Sequence, residues 1–346
     1  MMRIGRIVAQ VAVAAVVLLS MGGCIIVHDG EWDGGPWNHR AKFERTVELE
    51  HAMSSGSTLV VSTASGSIDA TGEATDRAHA VATIQARAAT EQEAQELAEQ
   101  VEIRFQEAGG KLEIKADLPT LHRRSVSISY KITQPRQTGI DCDSASGSIH
   151  VADLDGGVKA HTASGSVKAV RIKGAARLRS ASGSVNGEDL SGGDVDLDTA
   201  SGGASLTNAS DVGTCRLHSS SGPVRARHVK ADSMHLDSGS GGVTADDVTC
   251  SRLTGKSGSG HVSVTFASSA PNNVVVETGT GSGSVNVTLP SGFAGRVDLS
   301  AGSGSIDVDL PVTIKGSIGK RRVTGSIGEG NGSLSAHTGS GSIHVR

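Results

Sequence analysis

A Ser-Gly mark that returns about every nineteen residues constrains this chain more than any other feature. It appears as Ser146-Gly147-Ser148, Ser164-Gly165-Ser166, Ser182-Gly183-Ser184, Ser201-Gly202-Gly203, Ser221-Gly222-Pro223, Ser240-Gly241-Gly242 and Ser259-Gly260-His261. Successive glycines are 18, 18, 19, 20, 19 and 19 residues apart, and looser copies follow at Gly283, Gly304, Gly325 and Gly341. A fixed period of this length predicts a stack of coils, each burying its apolar face only against its neighbours.

Apolar residues keep phase with the mark. Two and four residues after the glycine come Ile149 and Val151, Val167 and Ala169, Ala204 and Leu206, Val224 and Ala226, Val243 and Ala245, then Val262 and Val264. Seven residues after it stand Leu154, Ile172, Leu190, Ala209, Val229 and Val248. Ahead of the next glycine come Val158 and Ala160, Ala176 and Leu178, Val195 and Leu197, Cys215 and Leu217, then Met234 and Leu236. Alternation of period two predicts strands with one buried face. The expected fold class is therefore all-β, a single-stranded β-helix (β-solenoid) with coils of about nineteen residues: two clear strands and a third short side. The glycine is expected at a corner that needs positive φ or has no room for a side chain. A long meander of hairpins would not hold one apolar phase through units of odd and even length. Composition agrees, since 346 residues include one Tyr, two Trp and four Phe, too few aromatics for a wide globular core but enough for a narrow one.

The amino terminus carries an address. Arg3 and Arg6 precede an apolar run from Ile7 to Met21 that ends at Gly22-Gly23-Cys24, too short to span a bilayer comfortably. It resembles a bacterial lipoprotein signal, with Met21 where leucine is more usual, and the resemblance implies lipidation at Cys24. An uncleaved anchor and a plain signal peptide are the alternatives. Ile25 after the cysteine favours the outer membrane where the host has one, so the expected location is the cell envelope. The expected divisions are a signal peptide at 1–23, a tether at 24–44 and a solenoid at 45–346, with elaborated coils at 79–133 and regular repeats at 140–346.

Within 79–133 the period changes. Thr90-Glu91-Gln92-Glu93 has the form of a capping box, predicting a short capping helix near residues 90–100 with Ala94, Leu97, Ala98 and Val101 on one face. Segments 79–87, 101–105, 111–116 and 126–132 alternate as strands. A helix there would cover a stack edge that otherwise exposes unpaired backbone.

Chemistry is sparse. No nucleophile elbow, zinc signature, phosphate loop or calcium-binding nonapeptide is present, so no catalytic residue, cofactor or metal ligand is expected. Asp194, Asp196 and Asp198, with Asp237 further along, are the only candidates for a carboxylate pair of the polysaccharide-cleaving kind, and read better as a solvated face. His161 and His218 share an outward phase, separated by Arg179 and Asp198. Cys142 and Cys215 lie about four coils apart, roughly 19 Å and too far for a disulfide; with Cys250 they read as small buried hydrophobes, intermolecular pairing through Cys250 being the alternative. Charge is banded: residues 159–179 are basic, 188–198 acidic, 216–230 basic and 232–247 acidic, which predicts pairing between neighbouring coils. The formal charge of −4 gives no bias toward nucleic acid.

The segment from Val81 to Leu118, then Arg124 to Lys131 before Pro135, then Cys142-Asp143-Ser144-Ala145-Ser146-Gly147-Ser148-Ile149 and its repeats resemble the bacterial DUF4097 family, also labelled as adhesins. The resemblance covers roughly residues 45–346. It implies a β-helix secreted or tethered at the cell envelope, with no catalytic residues to carry over. The partners expected are the membrane through the lipidated amino terminus, an envelope protein or polysaccharide, and a second copy through the carboxy-terminal edge. That edge is open unless an earlier segment folds back over Gly339 to Arg346. The expected function is a non-enzymatic, lipid-anchored envelope scaffold or adhesin-like protein. The rivals are a carbohydrate-active β-helix enzyme and a purely structural envelope protein.

Overall fold

The computed structural model describes residues 41–118, 125–311, 313 and 318–346; Cys24 and the tether as far as residue 40 lie outside them. The fold is a β-solenoid with one short helix. It opens with β1 (Ala41–Ala52), β2 (Thr58–Ser65), β3 (Ile68–Glu73), β4 (Arg77–Ala88), α1 (Glu91–Glu99), β5 (Glu102–Ala108), β6 (Lys111–Asp117) and β7 (Ser125–Pro135). β1 thus begins inside the stretch read as tether.

The regular coils follow, two strand segments to a turn. They are β8 (Gly139–Ser146) and β9 (Ile149–Leu154), β10 (Val158–Thr162) and β11 (Val167–Lys173), β12 (Ala176–Ser180) and β13 (Val185–Ser191), then β14 (Val195–Thr199). The long β15 (Ala204–Ser219) and β16 (Val224–Ser238) each run round a corner, before β17 (Val243–Val248), β18 (Arg252–Ser257), β19 (Val262–Phe266), β20 (Val275–Thr280) and β21 (Val285–Thr288). The last elements are β22 (Gly295–Ser303), β23 (Ile306–Val308), β24 (Ile318–Gly319), β25 (Arg322–Ile327), β26 (Gly332–Ser340) and β27 (Ile343–Val345).

Parallel pairing stacks like on like. Val158 lies against Ile140 and Ala176, and Val167 against Ile149 and Val185. The columns picked out by period are buried throughout, from Ile149 and Val167 to Val262 and Val285. Each regular coil adds about five apolar side chains to one continuous core, as Val167, Ala169, Ile172, Ala176 and Leu178 do, so stability is close to a sum over neighbouring coils.

In the regular coils the corner glycines are required for room, not for positive φ; Gly66, Gly304 and Gly341, at the two ends, combine both. A Cβ on Gly165 would run into the carbonyl of Gly147, one on Gly183 into that of Gly165, and so on through Gly202, Gly222, Gly241, Gly260 and Gly283. None of these seven has a positive φ. The backbone of one coil lies directly on that of the next, and any side chain would prop them apart.

Left-handed backbone occurs instead six residues later. Asp153, Arg171, Asp189, Asn208, His228 and Asp247 have φ between 52° and 61°. An odd step between the apolar residues at four and seven past the glycine must be absorbed somewhere, and this residue absorbs it. Asp and Asn tolerate the region better than most. Arg171 and His228 are held there by carboxylates on adjacent coils, Asp153 and Asp247.

A second device at the same corner is a buried hydroxyl spine. Three residues before each glycine stands Ser or Thr: Thr162, Ser180, Thr199, Ser219, Ser238, Ser257 and Thr280. Each hydroxyl donates to the glycine carbonyl of the preceding coil and accepts from its own glycine N–H, as Ser219 does toward Gly202 O at 2.7 Å and from Gly222 N at 2.8 Å. Ser219→Ala leaves both backbone groups buried and unmet, and should cost about 1–3 kcal/mol. Ser219→Thr should be near neutral, and equal losses for the two variants in thermal melts would refute the spine.

At both ends, order in space departs from order in sequence. β2 and β3 are covered by β6 and β7, which pair with them in parallel. β4 then adds antiparallel to β7, and β1 to β4. Thr90 Oγ1 accepts from Glu93 N at 3.2 Å to start α1, which buries Ala94, Leu97 and Ala98. From β1 the Arg45 guanidinium reaches the carbonyls of Ala98 at 3.1 Å and Val101 at 3.3 Å, satisfying orphan acceptors at the helix end.

At the other end, β26 lies between β20 and β22, and β27 between β21 and β23. The terminal strands are therefore interior rungs. An earlier segment closes over them, and β25 then pairs antiparallel with β22. Gly341 stacks on Gly283 and Gly304 on Gly341. Gly325 is not a corner, because it faces Val297 in the antiparallel pair.

Candidate functional site

The outward faces carry the only organised chemistry among the described residues, and it is organised against itself. One column reads Asp143, His161, Arg179, Asp198, His218, Asp237 and Lys256 on successive coils. Ion pairs cross from coil to coil: Lys159 to Asp141 at 3.3 Å, Lys168 to Glu188 at 3.1 Å, Lys173 to Asp155 at 3.0 Å and Arg227 to Asp246 at 3.6 Å. The first basic band is thus held from both sides, by acids at 141–155 as well as by those at 188–198. The earlier acids were missed because they are not contiguous.

The candidate carboxylates are occupied. Asp196 takes Arg177 at 3.4 Å and Arg179 at 3.3 Å, Asp194 accepts the Thr214 N–H at 2.7 Å, and Asp237 faces His218 at 3.2 Å. Asp198 lies between Arg179 and His218 in register. None faces a second carboxylate across a cleft, as a glycosidase pair must. Exposed pairs are worth little singly, but Asp196 is the shared partner of two arginines. Asp196→Lys should lower stability by about 1 kcal/mol while Asp198→Lys costs less; equal melting temperatures for Asp196→Lys and the parent would remove the ladder from the energetics.

Asp153 is the best-held acid. The Arg171 guanidinium hydrogen-bonds it at 2.8 and 2.6 Å and holds its carboxyl below the usual carboxylate range. A depressed value in the folded state gives stability that is present above about pH 4 and lost as pH falls through the folded value.

Other side chains do not assemble a site. Phe266, Phe293 and Tyr130 are buried, and Phe43 and Phe105 pack partly buried against the core, so no exposed aromatic platform for sugars occurs among the described residues. Cys142, Cys215 and Cys250 are free and buried. Burial pushes all three thiols up, Cys215 and Cys250 to about 12. Cys250, 2% exposed with a thiol pushed up by burial, fits the reading as a small buried hydrophobe better than pairing with a second molecule.

Asp307, Asp309 and His344 bring three ligand atoms within 4.8 Å of one another. Arg346 already fills that space, with Nε 2.8 Å from His344 Nε2 and 3.3 Å from Asp309, so the group is a latch on β27. A cleft of about 220 Å³ lies between the end of β2, β6 and β7, walled by Ser62 to Ser65 with Ile114, Ala116, Leu118, Val126 and Ile128. It is smaller than most ligand pockets. No helix among the described residues is long and apolar enough to cross a membrane.

The helix-and-hairpin opening followed by glycine-stacked coils matches a known architecture. The family model described as Toastrack DUF4097 fits residues 55–227 and again 193–346. The chain belongs to the DUF4097 family. That the toastrack model fits twice, with overlap, follows from coils alike enough for one model to lie on either half. Solved structures similar to this toastrack chain include an adhesin candidate from Bacteroides fragilis NCTC 9343, 12% identical with a TM-score of 0.34, covering 87% of this chain and 97% of that one. A candidate lipid-binding protein from Parabacteroides distasonis ATCC 8503 is 13% identical with a TM-score of 0.42, covering 87% and 96%. An adhesin candidate from the same organism is 12% identical with a TM-score of 0.40, covering 87% and 97%. Likeness at this level assigns no residue of the toastrack chain a role. Among curated proteins none matches.

Proposed function

We propose that this protein is a non-enzymatic, lipid-anchored scaffold of the cell envelope that presents the long outer surface of its solenoid to an envelope protein or polysaccharide. The observation that carries the reading is the state of that surface. Many of its charges pair from coil to coil, its described aromatics are turned inward, and of the candidate carboxylates Asp194, Asp196 and Asp237 are engaged. Such a surface suits broad, shallow contact and offers no reacting centre.

Membership of the DUF4097 family supports an envelope role, and Gly22-Gly23-Cys24 after an apolar run supports the anchor. Lipidation at Cys24 would leave the solenoid, which starts at β1, on a tether of about seventeen residues. Several acyl chains hold a protein at a bilayer where one holds it weakly.

Two measurements test the proposal. Intact mass of the protein extracted from its native membrane should show acyl chains on Cys24, and Cys24→Ser should release it to the soluble fraction. An unmodified cysteine in membrane-bound protein would overturn the anchor. Incubation with envelope polysaccharide should yield no new reducing ends. A release that Asp196→Asn or Asp237→Asn abolishes would install the enzymatic rival instead.

A further inference from the structure

The two ends of the solenoid differ in kind and in charge. At the amino-terminal end β1 is an edge strand among the described residues: there it pairs only with β4, in an unbroken register from Ala41 opposite Ala88 to Ala52 opposite Arg77. It has no proline and no bulge, the usual means of blunting such an edge. Its inward residues Phe43, Val47 and Leu49 are only half-buried, whereas the inward residues of β4 are fully covered.

This end is also strongly acidic. β1, α1 and β5 together carry nine glutamates against Lys42, Arg45 and Arg104; those of β1 lean on Lys42, His79 and Arg77, and the acids of α1 are the less compensated. α1 has no basic residue in its last turn. Glu96 and Glu99 add negative charge where the helix dipole is already negative; the Arg45 guanidinium on the carbonyls of Ala98, Glu99 and Val101 offsets part of it, and a cation from outside would relieve the rest. Among the described residues neither is ion-paired; their side chains accept from Gln92 at 3.2 Å and Gln95 at 2.9 Å.

At the far end the turn from β24 to β25 is basic. Beyond β22 the chain turns through Lys320 and Arg321 into Arg322 at the head of β25, all three exposed. Arg322 leans on Asp298 at 3.7 Å and Arg321 touches the Gly302 carbonyl at 3.3 Å, while Lys320 has no ion-pair partner among the described residues.

We infer that the acidic amino-terminal end, the β1 edge with the last turn of α1, receives the basic β24–β25 turn of a second copy, so that solenoids add head to tail. Charge selects this occupant over the two nearest rivals. The chain's own residues 24–40 carry Asp29, Glu31 and Asp33 against Arg40 and would be repelled. Two amino-terminal ends brought together would oppose glutamate to glutamate. Because the two surfaces are different patches at opposite ends of the stack, the contact is heterologous and leaves a free end at each step, giving an open series and not a closed dimer. The inference does not depend on the lipid anchor, and its failure would leave the scaffold reading standing.

The test is sedimentation velocity and light scattering of the purified full chain kept in detergent, at about 1 to about 100 μM, where a contact of roughly 10 μM is visible. Mass should rise through trimers and beyond at low salt and fall back to monomer at about 0.5 M salt, where charges are screened within a few ångströms. Glu96→Lys with Glu99→Lys, or Lys320→Glu with Arg321→Glu, should each hold the protein monomeric at unchanged melting temperature. The four changes combined in one chain should restore the series. A monomer at every concentration, growth that stops at a dimer, or a series indifferent to salt and to either reversal would overturn the inference.

Discussion

Gly241→Ala should lower the melting temperature by about 10 °C, and Gly242→Ala, one residue further on, should leave it within about 2 °C of the parent. A Cβ at 241 has nowhere to go: it would lie on the carbonyl of Gly222 and against Pro223 N. Relief requires the two coils to separate, which also breaks the hydrogen bonds of Ser238 to Gly222 O at 2.9 Å and from Gly241 N at 2.9 Å. Losses of about 3–5 kcal/mol belong to this kind of change, and in a domain of this size each kcal/mol moves the midpoint by roughly 2–4 °C. At Gly242 the nearest atom to a new Cβ is His261 O at 3.4 Å, and the backbone is not left-handed. Alanine there costs no contact and restricts the unfolded chain, which is neutral or slightly stabilising. Thermal unfolding of the two variants side by side decides the matter, and equal melting temperatures would mean that the corner has slack that the stack does not show.

Deleting residues 332–346 should disorder much more than the fifteen residues removed. β26 and β27 bury Leu334, Ala336, Ile343 and Val345, and each large aliphatic among them contributes about 1.5–3 kcal/mol on burial. They are also the only parallel partners of β22 and β23 among the described residues. Hydrogen exchange should therefore show fast amides across 295–308 and 322–327, with protection retained in 139–266. Protection surviving across 295–308 would show that this coil had dropped one rung to pair with β20, a register that the phase of Gly304 permits.

Much of the architecture could be read from residue periods. The columns at two, four and seven residues past the glycine are buried as expected, the helix begins at its capping threonine, and His161, Arg179, Asp198 and His218 follow one another on the outward face. These are matters of phase, and phase is what a repeat encodes. The purpose of the glycine was less visible, because absence of a side chain serves positive φ and close stacking equally well. The left-handed position hid for a related reason. Asp, Arg, Asn and His look like ordinary surface there, and only the odd step from four to seven residues betrays a turn.

The hydroxyl spine could have been found, since Ser or Thr stands three residues before every corner glycine from Gly147 to Gly283. It was masked by the abundance of serine nearby. The position of the last coil could not. Gly283, Gly304 and Gly341 all fit the mark, and a period fixes how a coil sits without fixing which coil sits beside it. The outward surface was legible as charge bands, but the acids at Asp141, Asp153 and Asp155 became significant only once they lay beneath Lys159, Arg171 and Lys173.

The interior position of β26 and β27 bears on how the molecule is made. A solenoid whose coils stack in chain order can grow as it is synthesised, each coil docking on a finished platform. Here the platform at β20 and β21 must wait for β26 and β27, about fifty residues further on. The intervening segment, 295–327, has already emerged and has no settled place. Folding of this end is thus a late, long-range event with a high contact order and a correspondingly slow rate. Until it happens, a parallel edge of ten residues, Val275–Thr280 with Val285–Thr288, stands open to any strand that fits.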